Sequence, residues 1–304
     1  MPILRFGFTL LLLGSLQLAS AGNIKISEQE ISPGITYLHK TVADVPWSVH
    51  VLRIERNRPE LNIVSTLPGG GYIGLTRLSD QVRYIPEEQG TPIAAINGDY
   101  FVWQRGPYQG DPIGMQIMYG ELVSAPMRFT APQNIRDEAA FWVGPGNHAR
   151  ITFVSSQFEI TWPDRSKTPF NLNEERGDDE IVLYNHFAGL TTKTTNGVEL
   201  VLEKKGKGHK IGVGEQSRLR IREIRGPNSV LSSNSIVLSI GPEAVTRLPQ
   251  LKAGMTLTLS TATTPDLRGA HVAMGGGPLL VQEGKAAKIT KDQIRHPRAA
   301  LGLN

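Results

Sequence analysis

Two carboxylates, a run of three glycines and two arginines are the groups in this chain best suited to chemistry on an anionic ligand. Asp99 stands in Ile96-Asn97-Gly98-Asp99-Tyr100-Phe101, just after the apolar run Pro92 to Ile96. A carboxylate placed there is delivered to a sheet rim, where polar sites tend to form. Asn97-Gly98 by itself is a turn signal. Tyr100, Phe101, Trp103 and Tyr108 follow, interleaved with Gly106, Pro107 and Gly110. Exposed aromatic faces suit the apolar faces of sugar rings; a small hydrophobic cluster under a loop is the plainer alternative. Asp111, in Asp111-Pro112-Ile113-Gly114, reads first as a turn initiator and second as a further site carboxylate. Glu199 sits among Val198, Leu200, Val201 and Leu202. A carboxylate half-buried there would have the raised pKa that a general acid needs, unless it faces solvent from an edge strand.

Gly275-Gly276-Gly277-Pro278 allows close backbone approach, and successive amides there could cradle an anion; a tight turn between strands is the alternative. The run lacks the residues of a nucleotide-binding glycine loop. Arg295 and Arg298 flank His296 and Pro297, and guanidinium forks match phosphate oxygens. These groups make Asp99 and Glu199 the candidate catalytic pair. Asn97, Tyr100, Trp103, Gly275, Gly276, Gly277, Arg295 and Arg298 are the candidate substrate-binding residues.

The elements that must position them are mostly strands. Period-two alternation marks Trp47 to Val51, Phe158 to Trp162, Leu219 to Ile221 and Met255 to Leu259. Ser235 to Ile240 is a continuous apolar run, suited to a strand covered on both faces. Pro92 to Ile96 reads as a short buried strand delivering Asn97, and Ala299 to Leu303 as another leaving Arg298. Leu75, Leu78, Val82 and Ile85 recur at helical spacing before Pro86. Ala286 to Ile294 reads as a weak helix or a loop. The fold class expected is α+β, with strand-rich mixed sheets and few helices.

Residues 1–21 read as a secretory signal: Arg5, then the apolar stretch Phe6 to Leu18, then Ala19-Ser20-Ala21. The apolar stretch is shorter than the roughly 20 residues that span a bilayer. A periplasmic or secreted protein, free of the membrane after cleavage, is expected. The chain of 304 residues has a formal charge of +4, too weak for a nucleic-acid binder without a concentrated basic face. The basic stretch Lys204 to Lys210 reads as a solvated turn. With no cysteine, thiolate nucleophiles, zinc–thiolate sites and iron–sulfur clusters are excluded. No cofactor is required; calcium on Asp99 and Asp111 oxygens is the one metal alternative. Residues 22–304 are expected to form one domain, with 185–265 as an inserted subdomain.

In order, these motifs resemble the phosphodiester glycosidase domain family, which includes N-acetylglucosamine-1-phosphodiester α-N-acetylglucosaminidase and bacterial exopolysaccharide-associated members. Ile96 to Phe101, Pro112-Ile113-Gly114, Tyr184-Asn185-His186, Thr191-Thr192, Gly197-Val198-Glu199, Gly275 to Leu280 and Arg295 to Gly302 carry the likeness, over about residues 45 to 303. The resemblance implies curved sheets and hydrolysis of a sugar 1-phosphodiester between the anomeric carbon and the phosphate oxygen. It also implies a cleft lined by Asn97, Asp99, Gly275, Gly276, Arg295 and Arg298. Members of that family usually continue into a further strand, a helix and an N-L-D-G-G-G-S-like segment beyond the point where this chain stops.

Overall fold

A computed structural model describes residues 24–56, 58–126, 139–204, 210–287 and 296–304. The proposed signal at 1–21, Arg295 and most of 286–294 lie outside the described residues. The chain divides into two compact units, Met1–Leu61 and Asn62–Asn304. No described helix is long and apolar enough to cross a membrane.

The first unit is an antiparallel meander of β1 (Ile24–Ser32), β2 (Ile35–Val42) and β3 (Trp47–Ile54). Gly34, at φ +78, makes the β1–β2 turn that a side chain would strain. The alternation at Trp47, Val49 and Val51 does produce a strand, but these side chains remain exposed, Trp47 by 55%. Period-two spacing sets one face apart from the other; it does not supply a second layer to cover it.

The second unit is α+β and strand-rich; over the structure strand makes up 41% and helix 9%. It starts with a short helix, α1 (Leu78–Gln81), followed by a 3-10 turn at Val82–Tyr84. The helix expected over 75–85 is thus reduced to its second half. Arg77, at the N-cap, supplies no capping side-chain bond. The strands that follow are β4 (Gln116–Met118), β5 (Glu121–Ser124), β6 (Ala139–Gly144) and β7 (His148–Phe153). Next come β8 (Ser155–Thr161), β9 (Lys167–Pro169), β10 (Asn171–Leu172), β11 (Ile181–Tyr184), β12 (Val198–Lys204), β13 (Gln216–Arg225) and β14 (Ile236–Ile240). A second short helix, α2 (Pro242–Val245), precedes β15 (Thr256–Thr264), β16 (Val272–Gly276), β17 (Val281–Gln282) and β18 (Lys285–Ala286).

Two sheets build the core. One has the order β5-β4-β16-β6-β7, the other β10-β11-β14-β12-β13-β15-β8-β9. Pairing is antiparallel except between β10 and β11, and one sheet nearly closes into a barrel. Ile117, Leu122 and Trp142 from the first meet Phe158, Ile160, Leu200, Leu219, Leu238 and Leu259 from the second in one buried cluster. The alternation of β8, β13 and β15 buries the side chains expected, and β14 is buried at all five positions. Strands β12 to β15, from the stretch 185–265, form a contiguous block in the middle of this sheet, between β10-β11 and β8-β9, and share the buried cluster.

Pro92 to Ile96 and Ala299 to Leu303 are not strands. Both segments are exposed and carry no ladder among the described residues, with Ile96 48% exposed. Apolar residues favour a strand only where a neighbouring strand completes the hydrogen bonds, and none does so here.

Candidate functional site

Residues 99–114 fold into one hairpin whose two arms are two of the sequence motifs. Val102 N donates to the Asp111 carbonyl at 2.8 Å, and Gly110 N to the Val102 carbonyl at 2.8 Å. Phe101 bridges Pro112, and Ile113 N donates to the Tyr100 carbonyl at 3.0 Å. The chain reverses between Trp103 and Gln109, where Gly106 and Pro107 break the ladder. Gly110, at φ +94, lies so close to the Gly74 backbone that no side chain would fit.

Asp99 sits at the open end of this hairpin. Its Oδ1 accepts from Tyr100 N at 2.7 Å and its Oδ2 from Gly114 N at 2.5 Å. Burial pushes its pKa up to about 6, with the amides of Gly114 and Tyr100 pulling partly back. The third glycine motif closes over it. A Cβ at Gly275 would lie 2.8 Å from the Asp99 carboxyl carbon and 2.8 Å from Gly114 Cα. A Cβ at Gly277 would lie 3.0 Å from Tyr100 Cε2. A Cβ at Gly98 would meet the flexible side chain of Met274, which would have to shift. The structure therefore brings Asp99, Tyr100, Gly275 and Gly277 together, although residues 99 and 275 are far apart in the chain.

This contact also explains the glycines differently from the expected anion cradle. Gly275 and Gly276 belong to β16, opposite Ala140 and Ala139 of β6, and none of Gly275, Gly276 and Gly277 has a positive φ. A cradle of successive amides needs a left-handed residue; an extended strand points them alternately to either side. Gly275 and Gly277 are free of side chains because Asp99 and Tyr100 fill the space. Gly276 has nothing closer than the Ala139 carbonyl, at 3.9 Å from a built Cβ, and nothing in the structure explains it.

Glu199 corrects the general-acid expectation. It is fully buried, and it accepts hydrogen bonds from the hydroxyls of Thr192 and Thr194, both at 2.7 Å, and from Ser229 N at 2.8 Å. Burial pushes its pKa up, but the hydrogen bonds from Ser229, Thr194 and Thr192 outweigh that and hold it below the ordinary carboxylate value. It is an ionised anchor and a poor proton donor. Thr192 also accepts, through its carbonyl, the Tyr108 hydroxyl at 2.5 Å. That hydroxyl lies 3.0 Å from the Tyr184 hydroxyl. Lys193 reaches back to the Pro107 carbonyl at 2.8 Å and lies over the Tyr108 ring. The Tyr-Asn-His, Thr-Thr and Gly-Val-Glu motifs thus hold the hairpin tip in place. Asn185, buried on its 3-10 turn, ties β5 to β11 through Leu122 and Asn173.

Asp111 differs from the turn initiator expected. It is 1% exposed, and neither carboxylate oxygen has a hydrogen-bond partner. Burial first, then the nearby Glu174, pushes its pKa well above the ordinary carboxylate value, with Lys193 pulling partly back. Its one sequence signal is its place in a loop rich in aromatics and glycine.

The remaining predicted residues are surface groups. Trp103 is 73% exposed, and Tyr100 and Phe101 are also exposed beside Asp99. Asn97 is exposed. Arg298 is exposed and, among the described residues, donates only to the Pro297 carbonyl, at 3.4 Å; no hydrogen bond or ion pair there joins it to the Asp99 hairpin. Each Asp99 oxygen accepts one amide hydrogen bond and keeps a further lone pair, and no group of three or more His, Cys, Asp or Glu among the described residues could hold a metal.

No family model matches the chain, and neither does any curated protein. Among solved structures it is similar to the crystal structure of a hypothetical protein from Synechocystis, with a TM-score of 0.61 and 18% identity. The likeness covers 86% of this chain and 46% of that one, so the chain spans less than half the length of that protein. At this identity the likeness shows the fold alone.

Proposed function

We propose that this protein is an exported hydrolase of sugar 1-phosphodiesters. One observation carries the reading: Asp99 is clamped between Gly114 and Gly275 with its pKa near 6, next to the exposed Tyr100, with Trp103 exposed farther along the same hairpin. A carboxylate poised near the working pH is suited to take a proton from water. The order of motifs, which resembles that of the phosphodiester glycosidases, supplies the substrate class. The reaction adds water oxygen to the anomeric carbon and breaks the bond from that carbon to the phosphate oxygen. The proton lost by water goes to Asp99, and the electron pair leaves with the phosphomonoester. That leaving group is already stable as an anion, so the reaction proceeds without a strong general acid, in keeping with an ionised Glu199. Arg298, exposed with one weak internal contact, and Arg295 are the cations proposed to hold the phosphate. Tyr100 and Trp103 form the sugar platform, with Asn97 reading a hydroxyl. Glu199 acts through Thr192 and Tyr108 as a positioning residue.

The test is hydrolysis of a sugar 1-phosphodiester by the wild type and by Asp99→Asn. A loss of about a hundredfold or more in kcat supports general-base catalysis; equal rates remove Asp99 from the chemistry. A second reading, a glycan-binding module without turnover, is favoured by the exposure of Trp103. Glycan binding that is lost in Trp103→Ala, with no hydrolysis by the wild type, selects it.

A further inference from the structure

The first unit carries a cluster of polar rings with no part in the proposed hydrolysis. On the β2–β3 ladder His39 stands directly opposite His50. Opposed residues on neighbouring antiparallel strands bring their Cβ atoms to about 4.5–5.5 Å, close enough for side chains to share one partner. The two imidazoles stack with centroids 4.3 Å apart and planes 7° from parallel. Their Nε2 atoms meet at a single point: Ser48 Oγ is 2.9 Å from His39 Nε2 and 3.1 Å from His50 Nε2. The outer nitrogen of His50, Nδ1, lies 2.6 Å from the Tyr37 hydroxyl.

Tyr37, His39, Ser48 and His50 are two residues apart along their strands, so all four project from the same face. That face is open: His50 and Ser48 are exposed, and His39 and Tyr37 are half-buried. Two imidazole nitrogens turned toward one oxygen form half of a chelate. To bind one ion at about 2.0–2.1 Å from each nitrogen, the rings must turn out of their parallel stack so that the two in-plane Nε2 lone pairs converge, a rotation that the open face leaves room for. Tyr37 supplies what a metal-binding imidazole ordinarily has, a partner on its other nitrogen. With Nδ1–H donated to the phenol oxygen, the Nε2 lone pair of His50 is left for the ion. Imidazole ligands with no thiolate in the chain suit a borderline divalent ion, and the intrinsic order of stability puts Cu2+ ahead of Zn2+ and Ni2+.

We propose that His39 and His50 form a two-imidazole binding site for a divalent transition ion of the Cu2+ class, completed by the Ser48 hydroxyl and water, with Tyr37 orienting His50. Two protein nitrogens hold an ion less tightly than a three-ligand centre. The site is therefore a surface chelate that loads and releases the ion, and not a closed structural centre.

The test is Cu2+ titration of the full chain, freed of metal beforehand, by calorimetry and electron paramagnetic resonance. The wild type binds one equivalent at this site, with a spectrum split by two equivalent nitrogens. The double variant His39→Ala/His50→Ala loses that equivalent and that splitting. Each single variant, His39→Ala or His50→Gln, keeps at most one nitrogen. Tyr37→Phe keeps both nitrogens but binds about tenfold more weakly, the effect expected of a lost outer partner. His148→Ala leaves binding unchanged. Circular dichroism of each variant checks the fold, and the nitrogen count in the conservative His50→Gln gives an answer that does not depend on affinity. Retention of the wild-type stoichiometry and splitting by the folded double variant overturns the proposal, as does a wild-type spectrum without two nitrogens.

Discussion

Asp99→Asn should stabilise the protein at neutral pH while removing its activity, and the size of the effect follows from the raised pKa. Burial raises the folded carboxyl to about 6 from an ordinary value of 3.8. Between those values the folded chain keeps a proton that the unfolded chain has lost, so stability falls as pH rises through the window. A shift of about two pKa units corresponds to about 3 kcal/mol, of which about 2 kcal/mol develops between pH 4.5 and 7.5. Asparagine cannot ionise, so the variant lacks this penalty. It loses about 1 kcal/mol because its amide group turns a donor toward Tyr100 N or Gly114 N. Near pH 4.5 the two proteins should be almost equal. At pH 7.5 the variant should be more stable by about 2 kcal/mol. Urea unfolding of both proteins at the two pH values measures the widening gap, and shared titrations cancel in the difference. A gap that stays constant or narrows with pH refutes the assignment of Asp99 as a half-buried carboxyl with a raised pKa.

Glu199→Gln should cost about 2 kcal/mol, because an amide group cannot accept from Thr192, Thr194 and Ser229 together. With its folded pKa below 4.5, Glu199 contributes stability above that value, and the contribution is lost as pH falls through the folded pKa. Acid unfolding of the variant should lack this component, and its pH–rate profile should keep the wild-type limb near pH 6. Asp111→Asn should gain on the wild type as pH rises, because a carboxyl with a raised folded pKa costs stability once the unfolded chain ionises, and thermal melts of both proteins across the acid-to-neutral range read the difference. Trp103→Ala should raise KM about fivefold, for loss of about 1 kcal/mol of ring stacking, with the unfolding midpoint unchanged.

The core was legible in the sequence because its signals are local. Alternation at Phe158, Ile160, Leu219, Ile221, Leu257 and Leu259, and the unbroken run over β14, each reports its own burial. Where burial depends on a partner the same signals misled. Pro92 to Ile96, Ala299 to Leu303 and the Trp47 face of β3 are apolar yet uncovered, since a strand's composition does not say what pairs with it or packs on it. In the candidate site, the motif order anticipated that Asp99 would meet the triple glycine. It did not reveal why: Gly275 yields space to a carboxylate, and Gly277 to a phenol ring. The character of Glu199 was misread because its neighbours in sequence are apolar, while the groups that ionise it come from Thr192, Thr194 and the distant Ser229. Asp111 was undervalued for a similar reason, as an Asp-Pro step looks like a turn whether or not the hairpin buries it.

Two alanine substitutions one residue apart test most directly whether the clamp around Asp99 is a working site. Gly275→Ala sets a methyl group against the Asp99 carboxyl, whereas Gly276→Ala meets only open space near the Ala139 carbonyl. Displacing a reacting group by about 1 Å can cost about a hundredfold in rate. The measurement is kcat for hydrolysis of a sugar 1-phosphodiester by both folded variants. The account predicts a loss of about a hundredfold in Gly275→Ala, with Gly276→Ala within about twofold of wild type. Equal rates in the two variants would contradict it.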